Sequence, residues 1–326
     1  MAVFRASARA SRWSVAPLLL AAIASNGCGS SSTGTEPGTS PYTLGPVERV
    51  ADADDPASLV TDGDTIFWTE EHGRIGAIDK AGGAVRFVVS NRPDRVGQLA
   101  IDGDRIVFIE RFLGVSTVPK TGGPSAGIAS NSNTSPYGLA IIDNRVYWEN
   151  YGDSESGASV FRTELDGDHA NETFVDIGIG GSDLGTDGSV LLLPGPALVD
   201  VATRMSQKFD VDNEGSAAVT SDAIYVTGGY WDVDVVGDDC TVTRVPRDGS
   251  TPKELATKLH SPTAIVVDEQ FAFWVDHWDK SFSFVPVGGG EAKILNEGVR
   301  IQSLAVDDDA VYFATAKGIF RARKRR

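Results

Sequence analysis

"FWTEEHGRIGAIDKAGG" occupies residues 67–83, and its reading decides the fold. Two adjacent aromatics, Phe67 and Trp68, open it. A short apolar run follows at 75–78, and Gly82-Gly83 close it. Short runs of Val, Ile, Phe and Trp separated by Gly-Gly or Asp-Gly pairs read as strands joined by hairpin turns. The phrase then returns. "YWEN" stands at 147–150 and "FWVD" at 273–276.

Seven such units run along the chain. Each starts with a short apolar strand: "SLVTDGD" (58–64), "QLAIDGD" (98–104), "GLAIIDN" (138–144), "DLGTDGS" (183–189), "AAVTSDA" (217–223), "AIVVDEQ" (264–270) and "SLAVDDD" (303–309). Second, third and fourth strands follow in nearly every unit. Aligning on Ile66, Ile106, Val146, Val190, Ile224, Ala272 and Val311 gives spacings of 40, 40, 44, 34, 48 and 39 residues. A period near 40 with four short strands per unit is the pattern of a β-propeller. No 3.6-residue periodicity is sustained, so helix should be nearly absent.

The expected fold is therefore all-β, a single propeller of seven four-stranded blades. Six blades is the alternative, because the unit at 183–211 has lost its aromatics. The paired aromatics are expected to fill the contacts between neighbouring blades rather than to bind a cofactor. The seventh unit stops after its third strand. Residues 46–51 supply the missing fourth, which would close the ring and remove two exposed sheet edges.

The second-strand phrases "FWTE", "YWEN" and "FWVD" resemble the YWTD repeats of lipoprotein-receptor propellers. The wider layout is similar to bacterial propeller lipoproteins and to the TolB-like and NHL-like group. The resemblance covers about residues 46–324. It implies the fold and leaves function open, because that group holds binding proteins and enzymes alike.

Lys and Arg number 29 against 45 Asp and Glu, a net charge of −16. Such a balance repels phosphate backbones and argues against nucleic acid as a partner. Residues 1–27 read as a signal peptide. Arg5, Arg9 and Arg12 precede "VAPLLLAAIA" (15–24), too short to span a bilayer. "SNGC" (25–28) resembles the end of a bacterial lipobox, which implies lipidation of Cys28 with palmitate-type chains. Residues 28–45 then form a Ser/Gly/Thr tether to the propeller domain at 46–326. The competing reading is cleavage after Ala24, with Cys28 a plain thiol. The lipoprotein reading places the protein on the cell envelope, facing the periplasm or the exterior. Gly29 favours the outer membrane over the inner. Cys240 would then have no disulfide partner.

In a four-stranded blade the loops between strands 2 and 3, and those leading from strand 4 to the next blade, emerge on one face. That face surrounds the channel mouth, the usual ligand site of this architecture. The loop residues expected to bind ligand there are Glu70, Glu110, Arg111, Tyr137, Tyr230, Trp231, His277 and Trp278. Aromatics beside carboxylates suit a carbohydrate, a cationic ligand, a peptide or a protein segment. Asp232, Asp234, Asp238 and Asp239 are the candidate calcium ligands, although their spacing matches no EF-hand; no other cofactor is expected. The four histidines lie in no metal-binding spacing, and no GxSxG elbow is present. A non-catalytic binding module is the expectation. A hydrolase or lyase with scattered channel-mouth residues is the alternative.

Overall fold

The computed structural model describes residues 43–90, 92, 95–110, 113–130, 136–150, 157–166, 170–178, 184–211, 215–228 and 239–325. The leader, Cys28 and residues 29–42 of the tether lie outside them. Seven four-stranded antiparallel sheets make up the fold. Its one helical segment among the described residues is a 3₁₀ turn at Glu71–Gly73.

Each sheet is a blade whose strands follow in chain order from the inside outward. The innermost strands are Leu59–Thr61, Val96–Asp102, Pro136–Ile142, Gly185–Thr186, Ala217–Val219, Pro262–Val267 and Ile301–Val306, here blades 1 to 7. The weak fourth unit does form a blade, from Gly185–Thr186, Val190–Leu193, Ala197–Asp200 and Ser206–Lys208. Blade 7 takes its outer strand from the other end of the sequence. Thr43–Ala51 pairs antiparallel with Gly318–Arg325 and closes the ring.

Successive side chains of a strand point to opposite faces, and this explains the paired aromatics. Phe67 packs with Ile106 and Phe108 of blade 2. Trp68 packs with Ala305, Tyr312 and Ile319 of blade 7. Tyr147 faces blade 4 and Trp148 faces blade 2. Phe273 faces blade 7 and Trp274 faces blade 5. The first residue of each pair therefore fills the contact with the following blade, and the tryptophan the contact with the preceding one.

Blade 4 keeps this rule but shifts the alignment by one residue. Thr186 pairs with Leu191, as Thr61 pairs with Ile66. The anchor is thus Leu191 and not Val190. Leu191 and Leu193 pack toward blade 3, and Leu192 toward blade 5. Four apolar residues in a row, 190–193, carry no alternation from which the phase could be read.

Adjacent blades are also locked at the face opposite the 2–3 loops. An Asp ends the inner strand, and one of its oxygens accepts N–H groups of the next turn. Asp307 Oδ1, for example, accepts from Asp309 and Ala310. The other oxygen meets a cation from the third strand of the following blade. Lys80 Nζ lies 2.6 Å from Asp307, Lys120 Nζ 2.6 Å from Asp62, and Arg247 Nη1 2.5 Å from Asp187. Lys324 pairs with Asp268 in the same way. Where blade 4 meets blade 3, both positions turn apolar, and Val201 joins the cluster that holds Ile142.

Candidate ligand site at the channel face

The inner strands are irregular at the end that meets the 4–1 loops. Blades 2, 3, 6 and 7 each carry a β-bulge there: at Gly97-Gln98 between Val96 and Leu99, at Gly138, at Thr263 and at Gln302. A bulge adds one residue opposite a single partner and re-aims side chains locally. Three of these bulges open onto one cavity of about 470 Å³. Its walls come from Ala57 and Ser58 of blade 1, Arg95, Gly97, Gln98 and Ile109 of blade 2, Pro136, Tyr137 and Gly138 of blade 3, and Gln302 and Ser303 of blade 7. Gly97 has no side chain to cover Ile109, which is how a second-strand residue reaches the wall; a Cβ there would lie 3.4 Å from Ile109.

The two serines span neighbouring blades. Leu59 N–H donates to Ser303 Oγ at 3.0 Å, and Leu99 N–H donates to Ser58 Oγ at 3.1 Å. These bonds satisfy inner-strand amides that have no further strand to pair with. Each hydroxyl keeps its own proton to donate. Gln302 donates its amide N–H to Asp55, which leaves its carbonyl oxygen as an acceptor. Tyr137 is 44% exposed and lines the cavity.

Of the residues expected to bind ligand, Tyr137 lines this cavity. Glu70 and Glu110 are on the expected face but are buried and paired within the chain. Glu70 accepts from Trp68 Nε1 at 2.8 Å and from Asp54 N–H at 3.3 Å, and pairs with Arg74 at 2.8 Å. Glu110 pairs with Arg92 at 2.9 Å. Asp276 occupies the same position in blade 6. It accepts from the N–H groups of His260 and Ser261 with one oxygen and from those of Trp278 and Asp279 with the other, all at 3.1–3.2 Å. A buried polar residue two places after the tryptophan position thus staples the incoming 4–1 loop.

His277 and Trp278 stand beside the Asp276 staple on blade 6. His277 N–H donates to Ser261 O at 2.9 Å, and Trp278 is exposed. His260 Nδ1 lies 2.7 Å from Asp279 Oδ2. His260, Asp276 and Asp279 bring three possible donor atoms within 4.8 Å of one another, the one such metal-compatible group among the described residues. Asp276 already accepts four N–H groups, so the group is built as a loop clamp. His72 is on blade 1, two blades away. Arg111, Tyr230, Trp231, Asp232, Asp234 and Asp238 lie outside the described residues; Asp239 is exposed. Cys240 is buried, its thiol 3.3 Å from the His260 carbonyl oxygen.

No family model matches the chain, and no curated protein matches it in sequence. Similar folds are plentiful among solved structures. Virginiamycin B lyase from Staphylococcus aureus is 16% identical with a TM-score of 0.65, covering 86% of this chain and 99% of its own. A chain of the mitotic checkpoint complex is 11% identical with a TM-score of 0.64, covering 87% of this chain and 94% of its own. Oligogalacturonate lyase from Vibrio parahaemolyticus is 11% identical with a TM-score of 0.60, covering 87% and 97%. At such identities the likeness is one of fold, shared by two lyases and a subunit of a protein complex.

Ser58, Gln98, Gln302 and Ser303 were missed by the loop-based reading because Gln98, Gln302 and Ser303 belong to strands and Ser58 directly precedes one. A signal does exist. In four units the residue just before the Leu of the inner strand is Ser58, Gln98, Gly138 or Ser303, small or polar inside an apolar run. Nothing in the sequence alone marks the bulges that aim these positions inward.

Proposed function

We propose that this protein is a non-catalytic binding propeller of the cell envelope, anchored through Cys28, which takes its ligand in the cavity bordered by blades 7, 1, 2 and 3. The single observation that carries this reading is the cavity wall. It combines an exposed aromatic ring, two hydroxyl donors and two amides on bulged inner strands. Among the described residues its wall holds no histidine, carboxylate or thiol that could serve as nucleophile or general base. Its volume falls within the range of about 300–1,000 Å³ typical of small-ligand sites.

The hydrolase or lyase alternative draws on the His260–Asp279 pair. That pair lies on the blade 5–6 side of the ring, while the cavity is walled by blades 7, 1, 2 and 3. Ligand and base would therefore have to meet across the channel.

The test is affinity capture of small molecules and peptides from envelope extract on the immobilised full-length protein. A species retained by the wild type, lost with Tyr137→Ala and recovered chemically unchanged supports the reading. Recovery of a cleaved or isomerised product favours the enzyme. Palmitate-analogue labelling that persists in Cys28→Ser removes the anchor.

A further inference from the structure

Resting on the cavity reading, we infer that the ligand is an anion, a small molecule or chain end that presents a carboxylate to Arg95. The argument is one of charge. The chain carries 45 acidic residues and a net charge of −16, yet among the described residues no carboxylate lines this cavity and one guanidinium does. Arginines in this protein are paired as a rule: Arg74 with Glu70, Arg92 with Glu110, Arg105 with Asp166, Arg145 with Glu164, Arg247 with Asp187 and Arg321 with Glu48. Arg95 has no such partner among the described residues and is exposed at the cavity edge. A planar guanidinium is the group best shaped to take a carboxylate through two parallel hydrogen bonds.

The remaining donors point the same way. Ser58 and Ser303 accept backbone N–H groups through their oxygens, and each hydroxyl also carries an O–H that can donate to an anion. The Gln302 carbonyl oxygen and the Tyr137 ring are the complementary parts, an acceptor for a ligand hydroxyl or N–H and a platform for an apolar face. A uronic acid sugar and the C-terminus of a short peptide share this chemistry, a carboxylate next to polar groups and an apolar face. Surrounding negative charge makes the selection sharper, since an anion gains nothing from the rest of this surface and is held only where donors converge.

The experiment is equilibrium binding of matched acid and neutral probes to the full-length protein: galacturonate against galactose, and acetyl-dialanine against its C-terminal amide. The expected result is that at least one acid binds about tenfold or more tightly than its neutral partner, the value of one charge-assisted hydrogen-bonded contact. Arg95→Gln should reduce that preference below about twofold, Arg95→Lys should restore part of it, and melting should be unchanged because the side chain is exposed. Preference in the sugar pair assigns a saccharide acid, and preference in the peptide pair a chain end. Equal binding of acid and neutral members, lost with Tyr137→Ala, would overturn the anion while keeping the cavity as a ligand site. An acid preference that survives Arg95→Gln would overturn the role of Arg95. No binding of any probe at millimolar concentration would overturn the anion and the cavity together.

Discussion

The indole of Trp68 lies across Gly76 of the neighbouring strand, where a Cβ on residue 76 would come within 2.4 Å of Trp68 Cε2. The two residues are direct cross-strand partners. Gly76 is therefore required by close approach, and its backbone is ordinary. Trp68 is fully buried and reaches blade 7 only because it can lean over this glycine. Gly76→Ala should force the ring off its position and destabilise the fold by about 1–3 kcal/mol, as overpacking does. Trp68→Ala should cost about 3–5 kcal/mol through the cavity it leaves. In the double variant Gly76→Ala/Trp68→Ala the glycine penalty should largely vanish. Chemical denaturation of the four proteins measures this coupling, and additive costs would mean that the two residues are independent.

How much of this was legible in the sequence depends on alternation. Trp68, Trp148 and Trp274 announce the phase of their strands, and the structure places each against the preceding blade as a consequence. In blade 4 the run Val190–Leu193 offers no such marker, so the unit was countable but its register slipped by one. The closing strand was legible because the seventh unit visibly lacked a fourth strand. The cavity was not. Its polar lining follows from bulges at Gly97-Gln98, Gly138 and Gln302, set by pairing registers that no short motif encodes. Glu70 and Glu110 looked like ligand groups because an acid after a strand reads as solvent-facing, whereas both are buried staples.

The inter-blade latches give the ring an acid sensitivity of definite sign. Burial alone would raise the Asp62 carboxyl, but the Lys120 ammonium and the N–H groups of Thr65 and Asp64 outweigh it and hold it below the ordinary value. At Asp307, Lys80 and the N–H groups of Ala310 and Asp309 outweigh burial in the same way. A carboxyl depressed in the folded state contributes stability above its unfolded pKa, and that contribution is lost as pH falls through the folded one. Wild-type stability should therefore drop from about pH 4 downward as these Asp residues protonate. Lys80→Met/Lys120→Met should be less stable near neutrality and show a shallower acid decline. Melting temperature against pH checks this; parallel curves for the two proteins would remove the latches from the account.

The Asp276 staple should be needed as a charged group with two oxygens. Asn keeps one acceptor and puts an N–H₂ where Asp276 receives N–H groups from the chain. Asp276→Asn should cost about 2–4 kcal/mol, since at least two buried N–H groups lose their acceptor. The loss should be local first. Amide exchange at 260–261 and 278–279 should rise well before that of the Phe271–Asp276 strand. Uniform loss of protection would mean that the staple and the blade open as one unit.

Ring closure rests on a second glycine. Gly318 begins the strand that receives Thr43–Ala51, and its φ of +142° is one that side-chain-bearing residues rarely adopt. A Cβ there would also fall 2.3 Å from the Ala51 carbonyl oxygen. Midway along the pairing, Arg321 lies 3.1 Å from Glu48, and its hydrogen bond leads in holding the Glu48 carboxyl below the usual range. The pair is too exposed to hold the strand alone. Gly318→Ala should therefore loosen the closing strand where it enters the blade. The expected outcome is faster proteolytic release of residues up to about 51, together with a lower melting temperature, because opening exposes an eight-residue edge at Gly318–Arg325. Glu48→Gln should leave melting nearly unchanged and remove only a small increment, one that the wild type has above the ordinary glutamate pKa and loses as pH falls through the lower folded value. Mass spectrometry of timed protease digests reads both variants. Equal release rates for Gly318→Ala and wild type would show that the ring is held closed by something other than this pairing.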